Sequence, residues 1–578
     1  MACSITSTMA QHNASRIFLI CILFILSHNT FVNSTFNVDY TGSTLTVSIG
    51  NIELIHHTED SPFLYTGNAE ADIDELHGNF KIDEYLIERI ALTDFVVHSE
   101  IPEYIVSFSR NGEYATNVTF SNENNVVRFM QTPPGINRYW VRFVAEDDEH
   151  VYGGGEQFSY FDLRGNEFPL WTREQGVGRN KSTITTFNAD NTDGGGGDYH
   201  TTYFPQPTFV SSRKYYCHFS TTVYSVLNFI PRDFHEVEIW SAEPGEIYFD
   251  IADTMLELVQ KLGGFLGRQP ELPEWIYRGA TLGVQGGTDA MLAYVDQAKE
   301  YDIELSAMWI QDWAGRITTS FGSRIFWNWK WNEEHYPNLR EEIQNLKNEG
   351  IGVLTYVNPY LNIEGDLFKE GDALGYFVKN TAGDTYVADF GEFFCGTLDF
   401  TNPDAYEWYK NEIIIKNMIE LGLSGWMADF GEYLPVKDVV LHSGESAEVM
   451  HNAWPALWAK MNREAVEESG KLGEIVYWMR AGYTGSQQYS TIMWAGDQFV
   501  DFSRSDGLPS TIPAALSMSM IGCGMTHFDI GGYTALYGYS RSEELLLRSA
   551  EMAVFTPMMR THEGNRPKEN WHIRERQQ

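Results

Sequence analysis

Cysteine is scarce in this chain, with 5 in 578 residues. Cys3 and Cys21 fall in the N-terminal stretch, which leaves Cys217, Cys395 and Cys523 scattered through the body. Neither a disulfide framework nor a CxxC zinc pair can be built from those three. Positive charge is scarce too: 40 Lys and Arg stand against 79 Asp and Glu, a formal net charge of −39. A nucleic-acid binder needs a basic face to displace counterions, and docking on an anionic membrane needs polybasic segments, so both partners are argued against. Long apolar runs are nearly absent. Residues 17–26, IFLICILFIL, are too short to span a bilayer but fit the apolar region of a secretory signal peptide, with Arg16 in front. The expectation is a signal peptide over residues 1–34, cut between about Ser27 and Ser34, and a secreted protein or one of the secretory pathway or lysosomal lumen. The long, weakly basic stretch ahead of the run keeps an uncleaved membrane anchor as the alternative. Asn33, Asn117 and Asn180 each begin an N-x-[ST] sequon, which supports secretion weakly.

What is present describes a large folded chain. Apolar residues make up 43% and charged residues 21%, which excludes a disordered or fibrous protein. Aromatics reach 14%, with 16 Trp and 31 Tyr. A core absorbs most of these, and flat rings also suit the apolar faces of sugars. The length corresponds to about four average domains, or fewer if one is a (β/α)₈ barrel of about 250 residues.

Two regimes divide the chain. From 35 to 252, short Val/Ile/Tyr/Phe-rich runs such as STLTVSIG (43–50), YIVSFSR (104–110) and HEVEIWSA (235–242) alternate with Gly, Asn and Asp turns. Period-2 alternation at this spacing predicts an N-terminal β-sandwich. A Gly- and aromatic-rich insert at 153–209 interrupts it and reads as a long ordered loop forming one wall of a pocket. A linker helix is expected over 253–275. From 276 to 578, apolar strands alternate with helix-period segments, and eight such units predict a closed (β/α)₈ TIM barrel, an α/β fold. A doubly wound open sheet is the alternative, although no GxGxxG opens the first unit. The last candidate strand, TPMMRT (556–561), leaves little sequence for the eighth helix, so the barrel is expected to be truncated there.

Barrel enzymes carry their chemistry at the C-terminal ends of the strands. Those ends present Gln311 and Asp312, Asp429 with Glu432, Arg480, Asp497, His527 with Asp529, and Arg560 with His562. One such carboxylate alone could cap the following helix. Four Asp residues converging with Arg and His read as chemistry instead. No HxH, HExxH or DxDxDG spacing occurs, so neither a metal nor any other cofactor is expected. Paired carboxylates in an aromatic rim suit glycoside hydrolysis, in which one ionised carboxylate attacks the anomeric carbon and a protonated one serves the leaving oxygen. Asp429 and Asp497 are the candidates.

The segments GGGEQFSYFDLRG (153–165), EQGVGRNKST (174–183), GWMADFGEYLP (425–435), RAGYTGSQQYSTIMWAGDQ (480–498), DIGGY (529–533) and FTPMMRTHEGNRP (555–567) resemble glycoside hydrolase family 31, most of all its sulfoquinovosidase branch. The resemblance implies a β-sandwich, a barrel and small C-terminal β-domains, the last expected to be missing from this sequence, and retention of α-configuration. It implies Asp429 as nucleophile and Asp497 as acid/base, with Arg480, Asp529 and His562 on the sugar hydroxyls and Gln311 at the ring. The segment SFGSRIFWNWKW (320–331) supplies Arg324 and Trp327 with the branch's R-x-x-W spacing, and Tyr533 completes the sulfonate pocket that the branch implies. Arg is apt for that task, because a buried sulfonate needs a fixed charge and directed donors. The partner expected is therefore a small anionic sulfosugar glycoside. Nucleic acid is not expected, nor is a membrane unless the leader stays uncleaved, and a homo-oligomer remains open. Two other readings are carried forward: a family 31 α-glucosidase or α-galactosidase acting on a neutral glycoside, and a non-catalytic sugar-binding homologue.

Overall fold

The computed structural model describes residues 35–99, 103–319 and 322–566. The expected leader, residues 1–34, lies outside the described residues, as do residues 567–578.

Antiparallel sheet runs from Phe36 to Ile251 and forms eight-, six- and three-stranded sheets. Alternation builds them: in Thr44–Ile49, Leu45, Val47 and Ile49 point inward, and in Glu246–Ile251, Ile247, Phe249 and Ile251 do. Their faces meet in one core, where Phe63, Phe108, Phe120, Phe143 and Phe249 pack ring against ring.

The stretch 153–209 is not the single long loop expected from sequence. Its two ends are paired strands, Val151–Gly155 against Pro205–Ser211, and Glu167–Leu170 pairs with Ser225–Asn228. Between them lies the helix Ile184–Asp193, whose N-cap Thr183 accepts from the Thr186 amide and whose C-cap Gly194 is left-handed. Alternation fails to mark Pro205–Ser211 because every residue in it is buried. The middle of the stretch clamps the barrel. Arg179 is buried, donates to the Ser505 carbonyl at 2.7 Å and pairs with Asp506 at 3.1 Å, while Trp171 stacks on His451 at 4.0 Å.

The connecting helix Met255–Leu266 opens on Thr254, whose side chain accepts from the Glu257 amide, and buries Leu258, Leu262 and Leu266 at helical spacing. Eight parallel strands follow: β1 (Ala280–Val284), β2 (Leu305–Ile310), β3 (Gly352–Val357), β4 (Gly425–Ala428), β5 (Val476–Met479), β6 (Ile492–Trp494), β7 (Thr526–His527) and β8 (Met559–Arg560). β8 pairs with β1, and the Ile530–Thr561 bridge closes the ring between β7 and β8. β3 is buried throughout, as expected of a strand with core on one side and helices on the other. Helix Leu339–Asn348 covers the sheet through Leu339, Ile343 and Leu346. No helix among the described residues is long and apolar enough to cross a membrane. Cys217, Cys395 and Cys523 are buried free thiols.

Candidate active site

Asp429 directly follows β4 and is tied to β3 by its backbone amide, which donates to the Val357 carbonyl at 2.9 Å. Its carboxylate accepts from the Tyr356 hydroxyl at 2.6 Å and from the Phe430 amide at 2.9 Å. Phe430 holds a left-handed φ of 61°, a conformation that costs energy for a bulky residue and turns the chain sharply behind the carboxylate. The Phe430 ring lies under Arg480, whose guanidinium carbon is 4.2 Å from its centroid, with that of Tyr203 4.6 Å away.

Arg480, at the end of β5, is the hub. Its Nε is 3.3 Å from Asp429 and its NH1 3.5 Å from Asp497, which follows β6. Its Nε and NH2 donate to Glu432, and NH2 also donates to Glu174 at 2.8 Å. Glu174 comes from the sandwich side and is braced by hydroxyls of Tyr203, at 2.9 Å, and Tyr433. Four carboxyl groups thus surround one guanidinium, and Glu174, Glu432 and Asp429 among them outweigh the effect of its burial, so it stays charged.

The four carboxylates are not equivalent. Burial raises the Asp429 carboxyl above its ordinary range, while Arg480, the Tyr356 hydroxyl and the Phe430 amide draw it back. Asp497 is pushed well above the usual range by its packed surroundings and by the charges of Glu174, Asp429 and Asp529, with Arg480 the opposing influence. About a quarter of the Asp497 side chain still reaches the mouth, at 26% exposure, against 9% for Asp429. Burial raises the Glu432 carboxyl, helped by the charges of Glu174 and Asp429 and opposed by Arg480. Asp497, toward the mouth, is thus held further above the ordinary range than the inner Asp429, and that inequality is the one a two-carboxylate glycosidase requires of its acid and its nucleophile.

Asp529, after β7, accepts from Arg560, and its second oxygen is buried with no hydrogen-bond partner among the described residues. His562 follows β8. Its Nδ1 accepts from the Gly564 amide at 2.9 Å, which leaves Nε2–H as the donor. Burial and the Arg560 charge keep the ring neutral. Tyr533 packs edge-on against His562 at 4.7 Å and lies within the electrostatic reach of Asp497, Asp429 and Asp529.

Arg324 and Trp327 enter from the side of β2. Arg324 lies on the hairpin Arg316–Thr319/Gly322–Ile325 and donates to the Phe390 and Gly391 carbonyls. Trp327 packs against Phe390 at 4.9 Å and against Phe430 at 5.3 Å, so it links Arg324's anchor to the ring beneath Arg480. Gln311, half-buried at the end of β2, accepts from the Gln285 amide at 2.9 Å.

Sequence reasoning passed over Glu174, Gln285 and Tyr356. Gln285 follows β1, so the strand-end rule could have found it. Tyr356 lies inside β3 and carries no local signal. Glu174 is 306 residues from Arg480, and nothing in its neighbourhood points across that distance.

Comparison with known proteins agrees with this architecture. The description "Glycosyl hydrolases family 31 TIM-barrel domain" matches residues 270–578, and "Glycosyl hydrolase 31 N-terminal galactose mutarotase-like domain" matches residues 28–226. The sulfoquinovosidase of Escherichia coli K12 is 52% identical over 90% of this chain and 76% of its own length. That of Agrobacterium fabrum C58 is 49% identical over 91% and 78%. The solved structure of a sulfoquinovosidase from E. rectale, in complex with the aza-sugar inhibitor IFGSQ, is 46% identical and superposes with a TM-score of 0.88, covering 93% of this chain and 80% of that one. With both domains matched and about half the residues shared with full-domain relatives, the chain belongs to glycoside hydrolase family 31.

Proposed function

We propose that the protein hydrolyses α-sulfoquinovosides, such as the sulfoquinovosyl glycerol released by deacylating sulfolipid, with net retention at the anomeric carbon. The observation that carries the reading is the pair Asp429 and Asp497, held on one guanidinium in environments that set their protons apart. Asp429 attacks the anomeric carbon and forms a covalent glycosyl-enzyme. Protonated Asp497 gives its proton to the departing glycerol oxygen as the glycosidic bond breaks. Asp497, now a carboxylate, takes a proton from water, whose oxygen attacks the same carbon and frees Asp429. Arg480, Asp529 and the His562 Nε2–H bind the sugar hydroxyls, with Gln311 at the ring. Arg324, Trp327 and Tyr533 receive the sulfonate, a permanent anion that a glucosidase pocket has no reason to favour.

The apolar run at 17–26 supports entry into the secretory pathway, so we place this activity in a secreted or luminal setting. The deciding experiment compares 4-nitrophenyl α-sulfoquinovoside with 4-nitrophenyl α-glucoside and follows the first-formed anomer by NMR. The expected result is a preference of at least about 100-fold in kcat/KM for the sulfosugar, since a buried charge with a matched partner is worth several kcal/mol, and α-sulfoquinovose as first product. Equal or greater activity on the glucoside overturns the substrate, and a β-anomer product overturns the mechanism.

A further inference from the structure

We propose that Arg316 is a positioning residue of the substrate pocket: it fixes the side-chain amides of Gln285 and Gln311 so that both turn N–H donors toward the bound sugar. The inference rests on the reading of Gln311 as a ring-contacting residue.

Asp312 is fully buried, and its carboxylate is met by the Tyr336 hydroxyl at 2.6 Å, His335 Nε2 at 2.6 Å and the Gly286 amide at 3.1 Å. Arg316 Nε donates to the same carboxylate at 2.8 Å, which locks the guanidinium in place at the base of the hairpin that carries Arg324. From there, Arg316 NH2 reaches the Gln285 side chain at 2.9 Å.

A guanidinium has donors and no acceptor. The Gln285 atom that faces it must therefore be the carbonyl oxygen, and the Gln285 NH2 must point the other way. That NH2 lies 2.9 Å from the Gln311 side chain, so the Gln311 atom it meets is again a carbonyl oxygen. Each amide is oriented by the donor before it, back to one charged group. The second N–H of Gln285 and both N–H groups of Gln311 have no protein partner among the described residues. Both side chains are half-buried, at the C-terminal ends of β1 and β2, where the barrel opens. That edge of the pocket consequently offers donors only. It accepts sulfonate oxygens or a hydroxyl lone pair and opposes a group that must donate.

Without Arg316, either end of the Gln285 amide can face Gln311, and the donor-only edge is lost. The test is a double-mutant cycle on kinetics with 4-nitrophenyl α-sulfoquinovoside, using Arg316→Ala, Gln285→Ala and the pair, with thermal midpoints recorded for each. Arg316→Ala is expected to raise KM about 10-fold with kcat changed less than about threefold, the scale of losing one oriented hydrogen bond to substrate. In the Gln285→Ala background the same change should add less than about twofold, because Arg316 acts through Gln285. Arg316→Lys, which can still donate to the Gln285 oxygen, should recover at least half of the lost affinity. If Arg316→Ala lowers the thermal midpoint, Arg316→Met, which keeps the packing of the stem, takes its place. The proposal is overturned if KM is unchanged, or if Arg316→Ala multiplies KM equally in both backgrounds. Wild-type turnover decides which glycoside the cycle is run on, so failure of the sulfosugar reading leaves the cycle intact on a neutral α-glycoside.

Discussion

Glu174 and Arg480 meet across the two domains: the Glu174 carboxylate accepts from Arg480 NH2 at 2.8 Å, with one-fifth of the Glu174 side chain still exposed at 19%. The contact places a negative charge from the sandwich within reach of the acid/base candidate, and that charge helps to raise the Asp497 carboxyl. Glu174→Gln removes the charge and keeps the shape. Asp497 then titrates lower, so the alkaline limb of kcat/KM, where the protonated acid is lost, moves to lower pH, and kcat at pH 8 falls on the order of 10-fold. A pH–rate profile with an unchanged alkaline limb refutes the assignment.

Asp429→Asn and Asp497→Asn should fail in different ways. The first removes the nucleophile and should cost about 10⁴-fold or more in kcat on every substrate, with the fold intact by circular dichroism. The second leaves attack possible when the leaving group needs no proton. With 4-nitrophenyl α-sulfoquinovoside it should release a burst of about one equivalent of nitrophenol and then turn over slowly, while the glycerol glycoside is cleaved about 10²–10⁴-fold more slowly than by the wild type. Rapid-quench measurement of the first turnover separates the two. A burst in Asp429→Asn exchanges the roles.

Arg324→Ala should act on affinity for the anion alone. Truncating one partner of a buried charge pair costs about 2–5 kcal/mol, so kcat/KM on the sulfosugar should fall about 30- to 1,000-fold. The low basal rate on a neutral α-glucoside should stay within about threefold. Parallel losses on both substrates would make Arg324 a structural residue of the hairpin.

Glu156 predicts a pH-dependent stability. It is buried at 2% exposure and its carboxyl is pushed up to about 8 by desolvation, with Arg179 the opposing influence. Between an unfolded value near 4.5 and the folded value, the native state holds a proton that the unfolded chain has lost, so stability falls as pH rises through that window, by up to about 1.4 kcal/mol per pH unit. Glu156→Gln removes this slope. Its thermal midpoint should exceed that of the wild type at pH 8 and match it at pH 4.5. A midpoint at pH 8 equal to or below that of the wild type counts against a neutral Glu156.

The barrel was legible because its strands are short apolar runs at regular intervals, and because the rule that chemistry sits at strand ends picks out Asp429, Asp497 and Arg480 without any structure. The same rule reaches Gln285, which was passed over because a lone glutamine in GVQGG carries no charge to draw attention. Other features were illegible for physical reasons. Pro205–Ser211 is buried on both faces, so alternation is lost and the stretch reads as loop. Glu174 acts through a contact that only the docking of two domains creates. Arg316 has its effect through two neutral amides, and hydrogen-bond direction leaves no trace in residue order. Arg324, Trp327 and Tyr533 were singled out by family resemblance, since no periodicity or spacing alone separates a sulfonate-binding Arg from one at the surface.

The three cysteines have a practical consequence. Cys217, Cys395 and Cys523 are buried, unpaired, and driven by desolvation to titrate far above physiological pH, so none presents a thiolate. A thiol-modifying reagent should therefore label none of the three in the folded protein and all three in denaturant. At these three positions the described body has no bond to make or break on changing redox surroundings, so its fold stands alike in a reducing and an oxidising compartment.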